Sequence, residues 1–140
     1  QWGRDVAPGP DVVAVRQNLQ LIVDGGQPVP GLTTNANGAW GSTKNQLQYT
    51  WRSGIGVTAN GSLVYVGGAN MNLAALAAAL TEAGAVRGMQ LDIHDNMVDL
   101  FTYRHDTGGL TPRKLLPDMP GPDTRYLVPD QRDFVAVTLR

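Results

Sequence analysis

The sequence predicts an α/β or α+β domain, a mixed β-sheet packed by one main Ala/Leu-rich helix and joined by long loops. Three observations carry this expectation. Only residues 72–83 show helical spacing of apolar residues, whereas several shorter runs alternate or are rich in β-branched side chains. Seventeen glycines and nine prolines in 140 residues favour strands and shaped loops. Eleven of the twelve acidic residues are Asp, which prefers turns and caps where Glu prefers exposed helix.

Taken in order, residues 11–18 read as a short helix capped by Asp11 after Pro10. Leu19 to Val23 reads as a strand ending in the Asp24-Gly25-Gly26 turn. Residues 27–48 read as one long surface loop, and Trp40 with the polar run 42–46 gives that loop a binding role. Residues 53–58 and 62–66 flank Asn60-Gly61, a strong hairpin signal, and Gly67-Gly68 end the hairpin. Helix 72–83 has Asn72 as its N-cap, Gly84 as its stop, and Leu73, Leu76 and Leu80 on one face. In the strand 88–93, Met89, Leu91 and Ile93 are expected to face the core, and Gln90, Asp92 and His94 the opposite side. Val98 to Arg104 reads as a further strand. Residues 105–131, with five of the nine prolines, read as an irregular excursion, and 133–139 as a closing strand.

Composition narrows the chemistry. Eleven basic and twelve acidic residues give a net charge of −1, without the basic excess that a bulk grip on nucleic acid needs. No run of apolar residues is long enough to span a bilayer. The absence of cysteine removes disulfides, zinc-thiolate sites and thiol nucleophiles. With two histidines and no Gly-x-Ser-x-Gly elbow, a serine-hydrolase triad is not expected. A glycosidase built on two carboxylates has to use aspartates, since Glu82 stands alone. The first ten residues are polar, contain Pro8 and Pro10 and lack a starting Met, so a processed or truncated chain is expected rather than one beginning with a signal peptide.

The densest polar constellation is residues 91–99, with Asp92, His94, Asp95, Asn96 and Asp99. Asp95-Asn96 suits a turn, because both tolerate the left-handed conformation. Such a turn would leave His94 beside Asp92, and a carboxylate orienting an imidazole is the usual build of a general acid or base. A divalent cation on Asp92, Asp95 and Asp99 is the alternative, although the spacing matches no calcium loop. No cofactor is assigned. Arg52, beside Gly54 and Gly56, can chelate a phosphate or sit as a solvated edge arginine. His105 lies at a strand exit, and Trp2, Trp40 and Trp51 can stack on sugars or anchor the fold.

Val23-Asp24-Gly25, Arg52-Ser53-Gly54-Ile55-Gly56-Val57, the Leu73–Leu80 helix, Gly84-Ala85-Val86 and Leu91-Asp92 together resemble the phosphodiester glycosidase domain family over residues 12–100. The resemblance implies a secreted or envelope-facing bacterial hydrolase of glycosyl phosphodiesters. Arg52 and Asp92 match the family's motif positions and would lie in the active cleft, Arg52 holding the phosphate; the residues themselves add His94 and Asp95 as catalytic candidates beside Asp92, and Asn96, Trp40 and His105 as contacts to a glycan or sugar-phosphate substrate. The family usually continues Leu-Asp-Gly-Gly-Gly-Ser, where this chain has Ile93-His94-Asp95-Asn96 after Leu91-Asp92. Either the acid–base apparatus is rebuilt around His94 and Asp95, or the substrate differs, or activity is lost. The 140 residues are accordingly expected to form a single domain, the C-terminal part of a longer or cleaved enzyme, with an N-terminal companion fragment as partner. The alternative function is a non-catalytic glycan-binding or assembly module.

Overall fold

A computed structural model of the chain describes residues 9, 10, 12, 15, 18–131 and 134–138. The helix expected at 11–18 and the side chain of Trp2 lie outside the described residues. The architecture is α+β, and every strand pairing is antiparallel rather than mixed. Strands β1 (Val23–Asp24), β2 (Gln27–Pro28), β3 (Thr50–Thr58), β4 (Leu63–Met71) and β5 (Ala85–Ile93) form one sheet in the order β2-β1-β5-β3-β4. Strands β6 (Phe101–Asp106) and β7 (Gly109–Lys114) form a second, two-stranded sheet. Helix α1 is short (Thr43–Leu47), α2 spans Leu73–Glu82, and a 3-10 turn covers Arg125–Leu127. No helix among the described residues is long and apolar enough to cross a membrane.

The core forms where α2 crosses the larger sheet. Asn72 Oδ1 accepts the Ala75 N–H at 2.9 Å and starts the helix, and Gly84 at φ +87° lets the chain leave it. Leu73, Leu76, Ala77 and Leu80 are fully buried, each leucine contributing about 1.5–3 kcal/mol. The sheet admits them because it has glycines beneath the helix. A Cβ on Gly54 would lie 3.0 Å from Leu80 Cδ1, and one on Gly56 only 2.7 Å from Ala85 Cβ. Both glycines belong to β3, which pairs with a strand on each side, so they serve helix approach and the ladder rather than phosphate binding.

This packing reverses the face expected for β5. Gly88 lies under Leu80 and Gln90 is buried, while Met89 and Leu91 on the other side are half-buried. Other expectations are corrected at their ends. The first strand shrinks to Val23–Asp24, and β4 runs through Gly67-Gly68 to Met71, leaving an outer edge free of charge and proline. The strand expected from Val98 starts at Phe101, and the region after it opens with β7, paired to β6, before the irregular 115–131. The closing strand is absent from 134–138, where Phe134, Val135 and Val137 are 57–73% exposed.

Candidate functional site

The candidate site forms where β5 leaves the sheet. The His94 N–H donates to the Trp51 carbonyl at 2.8 Å, so the ladder holds one residue past the end of β5. His94 then takes φ +79° and Asn96 φ +62°, turning the chain sharply. A left-handed conformation suits Asn, but for His it is a local strain of roughly 1–2 kcal/mol. Asp92 and His94 are half-buried, while Asp95 and Asn96 are exposed. The turn thus gathers Asp92, His94, Asp95 and Asn96 within one reversal. Among the described residues no carboxylate hydrogen-bonds the His94 imidazole, so the expected Asp92–His94 pair is not formed.

The β3–β5 register shifts between Arg52 and Gly54, where Leu91 and Asp92 of β5 together oppose Ser53. There the Ser53 hydroxyl oxygen, rather than a backbone carbonyl, accepts the Asp92 N–H at 3.1 Å. Bulges of this kind recur beside active sites because they re-aim side chains. Tyr65 stands on the same side of the sheet, its hydroxyl donating to the Asp99 carbonyl at 3.3 Å, and burial pushes its pKa up to about 12.

Arg52 is not presented to solvent. It is 0% exposed, and its donors are directed at six acceptors, all uncharged. Nε donates to the Met71 carbonyl at 2.8 Å, and Nη1 to Gln46 Oε1 and Gln90 Oε1 at 3.0 and 3.1 Å. Nη2 meets the carbonyls of Asn45, Gln46 and Gln48 at 2.5, 3.2 and 2.9 Å. Burial lowers its pKa to about 10, which still leaves it charged at neutral pH. In this arrangement Arg52 fastens the segment 45–48 to β3 and β5, and the phosphate-chelating geometry expected of it is absent.

Trp40 is likewise an anchor rather than a surface platform. Its ring is buried, and Nε1 donates to the Leu21 carbonyl at 3.2 Å. Asn35 and Gln46, both buried, wire the loop around it. Asn35 Oδ1 accepts the Trp40 N–H, and Gln46 Nε2 donates to the Trp40 carbonyl. The expected long surface loop is therefore a folded strap with a polar interior. His105 stands exposed on β6, in the other sheet, and is not brought into the turn.

The residue that sequence reasoning missed is Arg125. Its Nη1 donates to the Asn96 carbonyl at 3.2 Å and to Asp99 Oδ2 at 2.5 Å, and its Nε donates to Asp130 Oδ2 at 2.8 Å. The hydrogen bonds to Asp130 and then Asp99 raise its pKa against the opposing effect of burial. A cavity of about 370 Å³ opens between Asn96, Gly121, Pro122, Arg125, Val128 and Asp130. No local pattern marks Arg125, which follows a proline-rich run and meets its partners only through the tertiary fold. The same contacts commit Asp99 to a guanidinium. Among the described residues no group of three His, Cys, Asp or Glu side chains converges, so the cation alternative at Asp92, Asp95 and Asp99 has no geometric basis.

Comparison with known proteins adds three findings. The sequence pattern of the phosphodiester glycosidase family matches residues 4–92. A solved structure, that of a hypothetical protein from Synechocystis, is similar at 31% identity with a TM-score of 0.46. The similarity covers 55% of this chain and 15% of that one, so this chain spans a small part of that protein's length. No curated protein matches. The family match takes in well over half of the chain, from before β1 to Asp92 near the end of β5, and this chain belongs to the phosphodiester glycosidase family.

Proposed function

We propose that the chain contributes the acid–base residues of a hydrolase acting on a glycosyl phosphodiester, with Asp92, His94 and Asp95 as the working groups. The observation that carries this reading is the strained turn after β5, in which His94, half-buried and at φ +79°, stands two residues from Asp92 and next in the chain to Asp95. Local strain of that kind concentrates where function over-determines the backbone. In the proposed step, water attacks the anomeric carbon and gives its proton to His94. The bond between that carbon and the phosphate oxygen breaks, and the phosphate monoester leaves with the electron pair. A phosphate leaving group needs little protonation, so no strong general acid is required. Asp92 and Asp95 orient the groups, while Arg52 acts as a positioning residue from its buried place on β3. Family membership supports the substrate class and, with it, a secreted or envelope location.

A second reading, a glycan-binding module without turnover, is favoured by the side chains of Ile93, His94 and Asp95 standing where the family has glycines. The test is release of product from a panel of aryl and uridyl sugar-1-phosphodiesters. Turnover that falls about a hundredfold or more in Asp92→Asn and His94→Asn supports the hydrolase. Full turnover in both variants overturns the residue assignment. Silence of the wild type with glycan binding retained selects the binding module.

A further inference from the structure

Three of the five described arginines spend their guanidinium groups on protein acceptors. Arg52 and Arg125 do so as above, and Arg87 pairs with Asp24 at 3.3 Å. Arg104 and Arg113 differ: among the described residues their side chains make no hydrogen bond or ion pair. The register of the β6–β7 hairpin brings these two together. Thr102 lies opposite Arg113, and Arg104 lies opposite Thr111. Opposite and alternate residues share a face of an antiparallel pair, so the two arginines are diagonal neighbours about 7–8 Å apart.

Both are exposed, and a cavity of about 320 Å³ lies among Thr102, Tyr103, Arg104, Thr111 and Arg113. The carboxylate on this face is Asp106. It accepts the Gly108 N–H at 2.9 Å and the Thr111 hydroxyl at 2.5 Å, which turns it toward the hairpin tip. The face therefore carries surplus positive charge on a chain whose net charge is −1. The guanidinium fork matches phosphate oxygens in bidentate fashion, and two unspent forks over one concavity present that geometry twice.

We infer that the Arg104/Arg113 face of β6–β7 is a phosphate-binding site for a glycan that carries a phosphate besides the one being cleaved. The glycan rests on the phosphodiester glycosidase reading; the phosphate recognition rests on the hairpin alone. Titration calorimetry of the chain with inorganic polyphosphate, with neutral dextran as control, separates the two. Polyphosphate is expected to bind, dextran not to bind, and Arg104→Gln/Arg113→Gln to weaken polyphosphate binding at least tenfold with the melting temperature unchanged. An Arg104→Lys/Arg113→Lys variant, which keeps the charges but loses the forks, is expected to fall between. No binding by the wild type, or equal binding by the glutamine variant, overturns the inference. Turnover of a small monophosphodiester is expected to be the same in wild type and glutamine variant. Its absence in both, with polyphosphate binding intact, counts against the hydrolase reading and leaves the binding site standing.

Discussion

Arg52 and Arg125 flank the same strand end, yet their surroundings are opposite in kind. Arg52 is fully buried on β3, meets carbonyls and two glutamine amides, and has no carboxylate among its partners. Arg125 lies beyond the turn and meets two carboxylates and one carbonyl. The first region solvates a charge with dipoles fixed by the fold, and the second neutralises one with counter-charges supplied by a loop. Stability in the first depends on every dipole staying in place. In the second it depends on which charges are paired.

The largest effect expected is at Arg52. Arg52→Ala leaves buried acceptors without donors and a void beside Gln46 and Gln90, costing about 3–5 kcal/mol in urea denaturation. Were Arg52 a substrate ligand only, the variant would keep its stability and lose turnover. Arg125→Ala strands the Asp99 carboxylate, itself 1% exposed, and should cost about 2–3 kcal/mol. Adding Asp99→Asn should recover part of that loss, because the offending charge goes with it. Absence of any recovery would remove the distinction between the two regions, since Arg52 has no such partner to neutralise.

Tyr65 tests the region between them through pH. Its folded pKa, near 12, lies above the unfolded value of about 10, so the folded state holds the proton more tightly. Its contribution is therefore complete below pH 10 and is lost as pH rises toward 12, amounting to about 2–3 kcal/mol at most. The urea midpoint should fall across that window, and Tyr65→Phe should flatten the fall. The smallest effect expected is a gain. His94→Gly relieves the left-handed strain but adds unfolded-state freedom, for a net stabilisation of about 0.5–1 kcal/mol. Under the proposed function the same variant loses turnover, and a stabilised variant with full activity would separate the strain from the chemistry.

The legible parts of the sequence are those where local signals and packing agree. Asn60-Gly61 marks the β3–β4 turn, Asn72 and Gly84 bracket α2, and Asp24-Gly25 turns β1 into β2. The face of β5 was misread because alternation counts apolar residues and cannot see that Gly88 makes room for Leu80 or that Gln90 is needed by Arg52. Pro112 hid β7, since proline argues against a strand, but it is tolerated where the strand has a free edge. The turn at 94–96 was visible in Asp95-Asn96, whereas the positive φ of His94 was not, because His has no such preference. Arg125 and the polar wiring around Trp40 depend on contacts distant in sequence, for which no spacing rule exists.

The absence of a counter-ion at Arg52 reaches beyond stability. A charge surrounded by neutral dipoles is not cancelled at a distance, and low-dielectric walls screen it less than water and salt would. Arg52 pairs in register with Ile93, the last residue before the turn. Its field is therefore felt at the strand end, where it favours negative charge. Under the proposed function, a guanidinium spent wholly on protein acceptors would thus set the voltage of the site without contacting the substrate.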